Sequence, residues 1–278
     1  MYTNLNKETQ KKINFIIVGK PNSGKSTLFN KLLNEDISPT GETYGLTKDL
    51  YTNGFTFKDT EFIIHDTPGL RRKNKINDKF EELRNKKIVR LIDKIDVAIL
   101  LIDSTESITK QDFRIADIVL RRKKILFIIF NKIDLIDNQE EFKKKIKIFF
   151  ENSYSQFSQI NTSFISLLLG ININIFLNNI LRKKNLCKIK IKKIELNNFI
   201  LRLKKESKFP KVKNIEVKAK YIVQTDADFP KFKVFLNTKK KAPSIFIRYF
   251  ENEFRKFFSL KGVPIHFQFI SSVNPYSN

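Results

Sequence analysis

The chain has 278 residues, 41% of them hydrophobic, which is enough for two domains with real cores. No apolar run approaches the ~18 residues of a membrane span, and a single cysteine, Cys187, excludes an internal disulfide. The formal charge of +24, from 53 Lys and Arg against 29 Asp and Glu, points to a polyanionic partner.

The first expected strand is Ile13-Asn-Phe-Ile-Ile-Val18, and a helix is expected over 25–34. Between them lies Gly19-Lys20-Pro21-Asn22-Ser23-Gly24-Lys25-Ser26, a complete G-x-x-x-x-G-K-[ST] phosphate loop in the strand–loop–helix setting it requires. Glycine lets backbone N–H groups turn inward around phosphate oxygens. Lys25 reaches the β- and γ-phosphates, and the Ser26 hydroxyl ligates Mg²⁺. Thr27 follows in the first helical turn and joins the nucleotide-binding set.

Next comes a loop rich in Gly, Pro and Thr, in which Thr47 is the candidate to close on Mg²⁺ when a nucleoside triphosphate is present. Thr40 and Thr43 are nearby competitors that spacing does not exclude. Strands are expected at 51–57 and 61–65, the second ending in Asp66-Thr67-Pro68-Gly69. Asp66 can hold Mg²⁺ through water. The Gly69 amide can approach the γ-phosphate because no side chain blocks it.

A helix over 78–93, a strand over 96–102 and a helix over 110–122 follow. The apolar run Ile125-Leu-Phe-Ile-Ile-Phe130 then reads as a buried parallel strand, with Asn131-Lys132-Ile133-Asp134 beyond it. Asp134 offers two acceptors matching the N1–H and exocyclic amine of guanine, a donor pair that adenine lacks. Asn131 can bridge to the base and to the phosphate loop, and the Lys132 stem can lie over the ring. The expected nucleotide is GTP or GDP. A helix over 139–151, a strand over 162–165 and a helix over 171–184 complete a doubly wound α/β domain with its ligand at the strand ends.

Arg182 to Lys190 is a basic junction, and the boundary is set there, giving domains 1–186 and 187–278. A helix near 193–206, strands near 214–223 and 231–237, a helix near 243–258 and a strand near 263–270 give the order αββαβ. Phe246, Tyr249, Phe250, Phe254 and Phe257 recur at helical spacing and read as core. Residues 187–278 hold 21 Lys and Arg against 7 Asp and Glu, a net +14, while residues 1–186 hold 32 against 22, a net +10. The Asn-, Ile-, Lys- and Phe-rich composition suggests AT-rich coding, which by itself raises lysine content. RNA contact and composition bias are therefore both readings of this charge. Lys239-Lys-Lys241 is either an RNA contact or a solvated turn.

These motifs together resemble the Era-like GTPases, and more closely the EngA/Der family of ribosome-assembly GTPases. The resemblance is carried by Asp66-Thr-Pro-Gly-Leu-Arg-Arg-Lys73, by Leu101-Ile-Asp-Ser-Thr-Glu-Ser-Ile-Thr-Lys-Gln-Asp112 and by Phe250 to Ile265. It implies a P-loop GTPase domain followed by a small α+β KH-like domain. Ordinary KH domains grip the nucleic-acid backbone with a GXXG loop, but Gly262 is the only glycine after residue 187, so no GXXG exists here. The family carries two GTPase domains before its KH-like domain, and this sequence has one set of motifs.

The resemblance implies further roles. Ser166-Leu167 falls where GTPases carry S-A-[LK], whose amide meets the guanine oxygen, with Leu167 replacing the small residue. Leu70 stands where many GTPases place a water-orienting glutamine. Asn22 is then expected to hold a K⁺ ion beside the phosphates, the alternative being a turn residue tolerant of loop geometry. Arg71 and Arg72 read as either a cationic finger or a solvated basic segment. Lys25, Thr47, Gly69 and Asn22 form the expected catalytic set.

The implied partners are the large ribosomal subunit and rRNA. No DNA partner and no membrane insertion are expected, and the chain is expected to be cytoplasmic and monomeric off the ribosome. The first residues show neither a secretory nor a transit pattern. An alternative is an RNA- or ribosome-binding module stabilised by GTP, with little or no hydrolysis. An Era-like or tRNA-modification GTPase is a third reading, opposed by the αββαβ domain without GXXG.

Overall fold

The computed structural model describes residues 11–34, 39–40, 52–65, 90–152, 160–206, 211–212, 215–226, 230–238 and 241–271. Two compact units emerge, Met1–Ile180 and Leu181–Asn278.

The first unit is built on a seven-stranded sheet. Its strands are β1 (Lys11–Val18), β2 (Pro39–Thr40), β3 (Thr52–Phe57), β4 (Thr60–His65), β5 (Val97–Asp103), β6 (Ile125–Asn131) and β7 (Asn161–Phe164). The spatial order is β2-β3-β4-β1-β5-β6-β7. Strands β4, β1, β5, β6 and β7 run parallel, while β2 and β3 form an antiparallel edge.

Both β5 and β6 are buried along their whole length, as their unbroken apolar runs require of strands covered on two faces. One core layer joins Ile16, Leu100, Ile128, Val119 and Phe150. On β1, β3 and β4, Phe15, Phe55 and Phe62 pack together, with Phe55 and Phe62 stacked at 5.0 Å.

Chain order reverses about β1, with β4 on one side and β5 on the other, so the loop after β1 opens at the topological switch point. The helices of this unit are α1 (Lys25–Asn34), α2 (Lys110–Arg121) and α3 (Gln139–Asn152). The start of α4 (Ile173–Leu186) also belongs to it. Of the helix expected over 78–93, only residues 90–94 are described, and they are helical.

The second unit contains α5 (Lys193–Lys205), the hairpin β8 (Lys211–Val212) and β9 (Ile215–Glu216), then β10 (Ala219–Asp226), β11 (Lys231–Leu236), α6 (Ser244–Phe257) and β12 (His266–Ser271). Its three-stranded sheet has the order β10-β11-β12, with β11 antiparallel to β10 and parallel to β12. Phe246, Phe250 and Phe254 of α6 are buried and meet Phe232, Phe267 and Phe269 of the sheet, while buried Phe199 of α5 packs on Phe250 and Phe254. Tyr249 and Phe257 are half-buried at the edge of that core. Cys187 is buried, with its thiol on the Lys183 carbonyl at 3.4 Å. No helix among the described residues is long and apolar enough to cross a membrane.

Two of the expected strands differ from the observed ones by three residues or more. The strand expected over 214–223 is divided into β9 and β10. The strand expected over 263–270 starts at His266, because Pro264 has no N–H to give a ladder and pairing begins with the His266 amide on Pro230 O at 2.9 Å.

Candidate nucleotide-binding site

Strand β1 ends at Val18 and the chain turns at once. Gly19 has φ +148°, and a Cβ there would stand 2.2 Å from Leu101 O. Asn22 follows with φ +65° and Gly24 with φ +101°. Ser23 is buried and its hydroxyl donates to Lys20 O at 3.1 Å, which closes the turn. Helix α1 then starts at Lys25, with no acidic residue in its first turn to compete for the positive end of its dipole. Pro21, Asn22, Ser26 and Thr27 are exposed around this concavity.

Lys25 is half-buried, and its ammonium donates to Lys20 O across the loop. Burial pushes its pKa below the ordinary lysine value. No carboxylate pairs with it among the described residues, so a phosphate would supply the missing countercharge. The Lys20 side chain turns elsewhere, to Glu106 at 3.3 Å, Ser107 O at 3.2 Å and Asp112 at 3.8 Å. Only the Lys20 backbone therefore belongs to the cradle.

Strands β5 and β6 end level, with Asp103 opposite Asn131. Asn131 is buried and joins two loops. Its amide donates to Ser23 O at 3.0 Å, and its oxygen accepts from the Leu167 amide at 3.1 Å. A Cβ on Gly24 would stand 2.4 Å from that Asn131 nitrogen, so the approach requires glycine.

Lys132 adopts φ +63°, and its ammonium is paired with Asp103 at 2.5 Å. Burial alone would raise the Asp103 pKa. Hydrogen bonds from Lys132 and Thr105 outweigh burial and hold the carboxyl below its usual range. Asp134 follows on a single 3₁₀ turn, and its Oδ1 is buried with no hydrogen-bond partner among the described residues. A buried acceptor left open is costly unless a ligand donor reaches it. The N–H pair of guanine is such a donor.

The Leu167 amide was the expected contact to the guanine oxygen, but in this structure it donates to Asn131. Its side chain is buried against the phosphate loop, 3.3 Å from the position of a Gly24 Cβ. Ser166 is also buried, and its hydroxyl accepts from the Leu169 amide at 3.2 Å. Leu167 thus acts on the site through Asn131 and through its packing on the phosphate loop, while Ser166 holds the turn that carries it.

Asp103 and Asp112 also bear on the site, through Lys132 and Lys20, although neither belongs to a nucleotide motif. The signal was a carboxylate closing an otherwise apolar strand, and an aspartate three residues into a helix. Asp112 caps α2, accepting from Thr109 N at 2.8 Å and Thr109 Oγ1 at 2.7 Å. Thr43, Thr47, Asp66, Thr67, Pro68, Gly69, Leu70, Arg71, Arg72, Lys239 and Lys240 lie outside the described residues. The backbone of Thr40 is in β2, paired with Gly54. Of the expected Mg²⁺ ligands, Ser26 alone is described, and it is exposed at the start of α1.

Residues 14–132 match the family model described as a 50S ribosome-binding GTPase. Residues 190–269 match the one described as the KH-domain-like, C-terminal region of EngA bacterial GTPase enzymes. GTPase Der of Finegoldia magna is 33% identical over 257 residues, covering 91% of this chain and 58% of that protein. GTPase Der of Bartonella tribocorum is 30% identical over 270 residues, covering 97% of this chain and 57% of that protein. The chain thus spans little more than half the length of these relatives. Among solved structures, Aquifex aeolicus Era bound to GDP·AlF4⁻ matches at 20% identity and a TM-score of 0.48, covering 96% of this chain and 95% of that one.

Proposed function

We propose, since the chain belongs to the EngA/Der family of GTPases, that it binds GTP, hydrolyses it to GDP and phosphate, and acts as a switch in large-subunit ribosome assembly. The observation that supports this most is the open, buried Asp134 oxygen beside a phosphate loop that Asn131 ties to the same strand end. Asn131 ties the phosphate loop to the base-side loop through its bonds to Ser23 O and the Leu167 amide.

The roles follow from the chemistry of each group. The 19–27 loop wraps the phosphates with backbone N–H groups, and Lys25 gives them a point charge. Asp134 reads the base, and the Lys132 stem covers the ring. Ser26, Thr47 and Asp66 are read as holding Mg²⁺, which neutralises charge on the β- and γ-oxygens. Gly69 offers its amide to the γ-phosphate. Leu70 neither donates nor accepts a hydrogen bond, so water is not positioned by that side chain. Asn22, exposed at the lip of the loop with a left-handed backbone, is read as the ligand of a K⁺ ion that offsets transition-state charge.

The GTPase domain is taken as 1–186, ending with α4, and the KH-like domain as 187–278. The net +14 of residues 187–278 supports rRNA as the partner of that domain. The chain is read as cytoplasmic and monomeric off the ribosome. A second reading, GTP as a structural ligand of an RNA-binding module, is favoured by Leu70.

Single-turnover hydrolysis separates the two readings. The switch predicts GTP turnover that rises with large ribosomal subunits and falls when Na⁺ replaces K⁺. Asn22→Ala should remove the difference between the ions. Tight GTP binding with no turnover under any of these conditions would leave only the second reading.

A further inference from the structure

The outward face of the β10-β11-β12 sheet carries an aromatic pair that the core does not use. On the inward face, Ala219, Ile222, Phe232, Val234 and Leu236 are buried beneath the helices. The outward row is Tyr221, Phe235 and Ile270, which are register partners across the three strands. The Tyr221 and Phe235 rings stack at 4.2 Å with 16° between their planes. Among the described residues strand β10 is the edge of this sheet, and no further strand flanks the second face of Tyr221. Its side remains open, with Tyr221 47% and neighbouring Val223 41% exposed.

A cross-strand aromatic pair stabilises a sheet by itself. What that role leaves unexplained is the company of the pair. Lys233, opposite Val223, is exposed on the same face two residues from Phe235, a distance of about 7 Å along the strand. Lys231 continues the line, paired with Asp226 at 3.1 Å. An ammonium spaced in this way can meet the phosphate of a nucleotide whose base lies on the rings. Aromatic faces flanked by cations in a unit of net +14 have the chemistry of a single-strand platform.

We propose that this sheet face binds unpaired RNA, with a base stacked on Tyr221 and its backbone steered by Lys233. Such a face would let a domain without GXXG select single strands over duplex. It rests on the reading of residues 187–278 as the RNA-facing domain.

The chain has no tryptophan, so Tyr221→Trp provides a single indole reporter on this face. Titration of that full-length variant with an oligoadenylate of about eight nucleotides should quench its emission, and a duplex of equal length should not. By fluorescence anisotropy, Tyr221→Ala should weaken oligoadenylate binding about tenfold at constant salt slope. Tyr221→Phe should stay within about twofold of the wild type, because stacking needs the ring and not the hydroxyl. Lys233→Ala should reduce the salt slope by roughly 0.7.

An unquenched indole, or equal affinity for Tyr221→Ala and wild type, would overturn the platform. Co-sedimentation with ribosomal particles is scored separately. If it persists without quenching, the platform fails and the switch stands. Quenching without co-sedimentation gives the reverse.

Discussion

Asn131 is the residue on which the two halves of the site depend. It accepts from Leu167 and donates to Ser23, so it fixes the base-side loop and the phosphate loop in one geometry. Gly24→Ala would drive a methyl into its amide and would require a left-handed alanine at φ +101°. Nucleotide affinity should fall at least tenfold while the far-ultraviolet circular dichroism is retained, since the clash is local. Isothermal titration with GDP checks this, and unchanged affinity would mean that the two loops adjust independently.

Asp134→Asn should weaken GTP by on the order of a hundredfold, the loss of charge-assisted hydrogen bonds at about 1.5–3 kcal/mol each. It should favour xanthosine triphosphate, whose exocyclic carbonyl oxygen, standing where guanine has its amine, accepts from the new amide. A variant that still prefers GTP by the wild-type margin would remove Asp134 from base recognition. The motif residues themselves were legible because each needs a residue type at a fixed offset from a strand end. Their mutual bonds were not. Nothing in the spacing says that the Leu167 amide is engaged by Asn131, or that Asp103 holds Lys132, because both depend on β5, β6 and β7 ending at one level.

At the scale of elements, apolar runs identified β1, β5 and β6, and periodicity identified α2 and α6, because burial on defined faces leaves those patterns. Strand β10 was misread for a physical reason. Its register is irregular between Ala219 and Tyr221, so both Lys220 and Tyr221 stand outside the alternation. The two-residue strands β2, β8 and β9 are too short to carry any period.

Helix α2 makes a testable element. Asp112→Ala removes its capping box and should lower stability by about 1 kcal/mol in urea unfolding. A larger loss would mean that its approach to Lys20 at 3.8 Å also supports the phosphate loop.

Helix α4 carries a second such test. Lys183 is buried, and its ammonium donates to Lys261 O. Burial, aided by the charges of Arg182 and Lys261, pushes its pKa down to about 8 from 10.5. Between those values the unfolded chain binds the proton and the folded chain does not, so stability rises with pH across that window. Below pH 8 both states are protonated and the full penalty of the buried charge remains. Lys183→Met should therefore be favoured most at pH 7, with the wild type regaining ground between pH 8 and 10.5. Urea midpoints for both chains across that range check the sign, and a constant difference would mean that Lys183 is not buried as a cation.

For the whole molecule, charge and connectivity set the expectation. The unit that carries the nucleotide motifs and the strongly basic αββαβ unit are successive parts of one chain. Binding of Lys and Arg to phosphates releases counterions, so ribosome association should weaken steeply with salt. The expected slope is roughly −0.7 per single-strand phosphate contacted. A chain ending at residue 186 should retain GTP binding and lose the particle. The measurement that tests the central claim most directly is co-sedimentation of the full chain with purified large ribosomal subunits across a salt series. It is run with GDP, with a non-hydrolysable GTP analogue and without nucleotide. A GTP-dependent switch predicts association that is strongest with the analogue, falls with salt and disappears in the Lys25→Ala variant. Association indifferent to nucleotide, or its absence in every state, would contradict it.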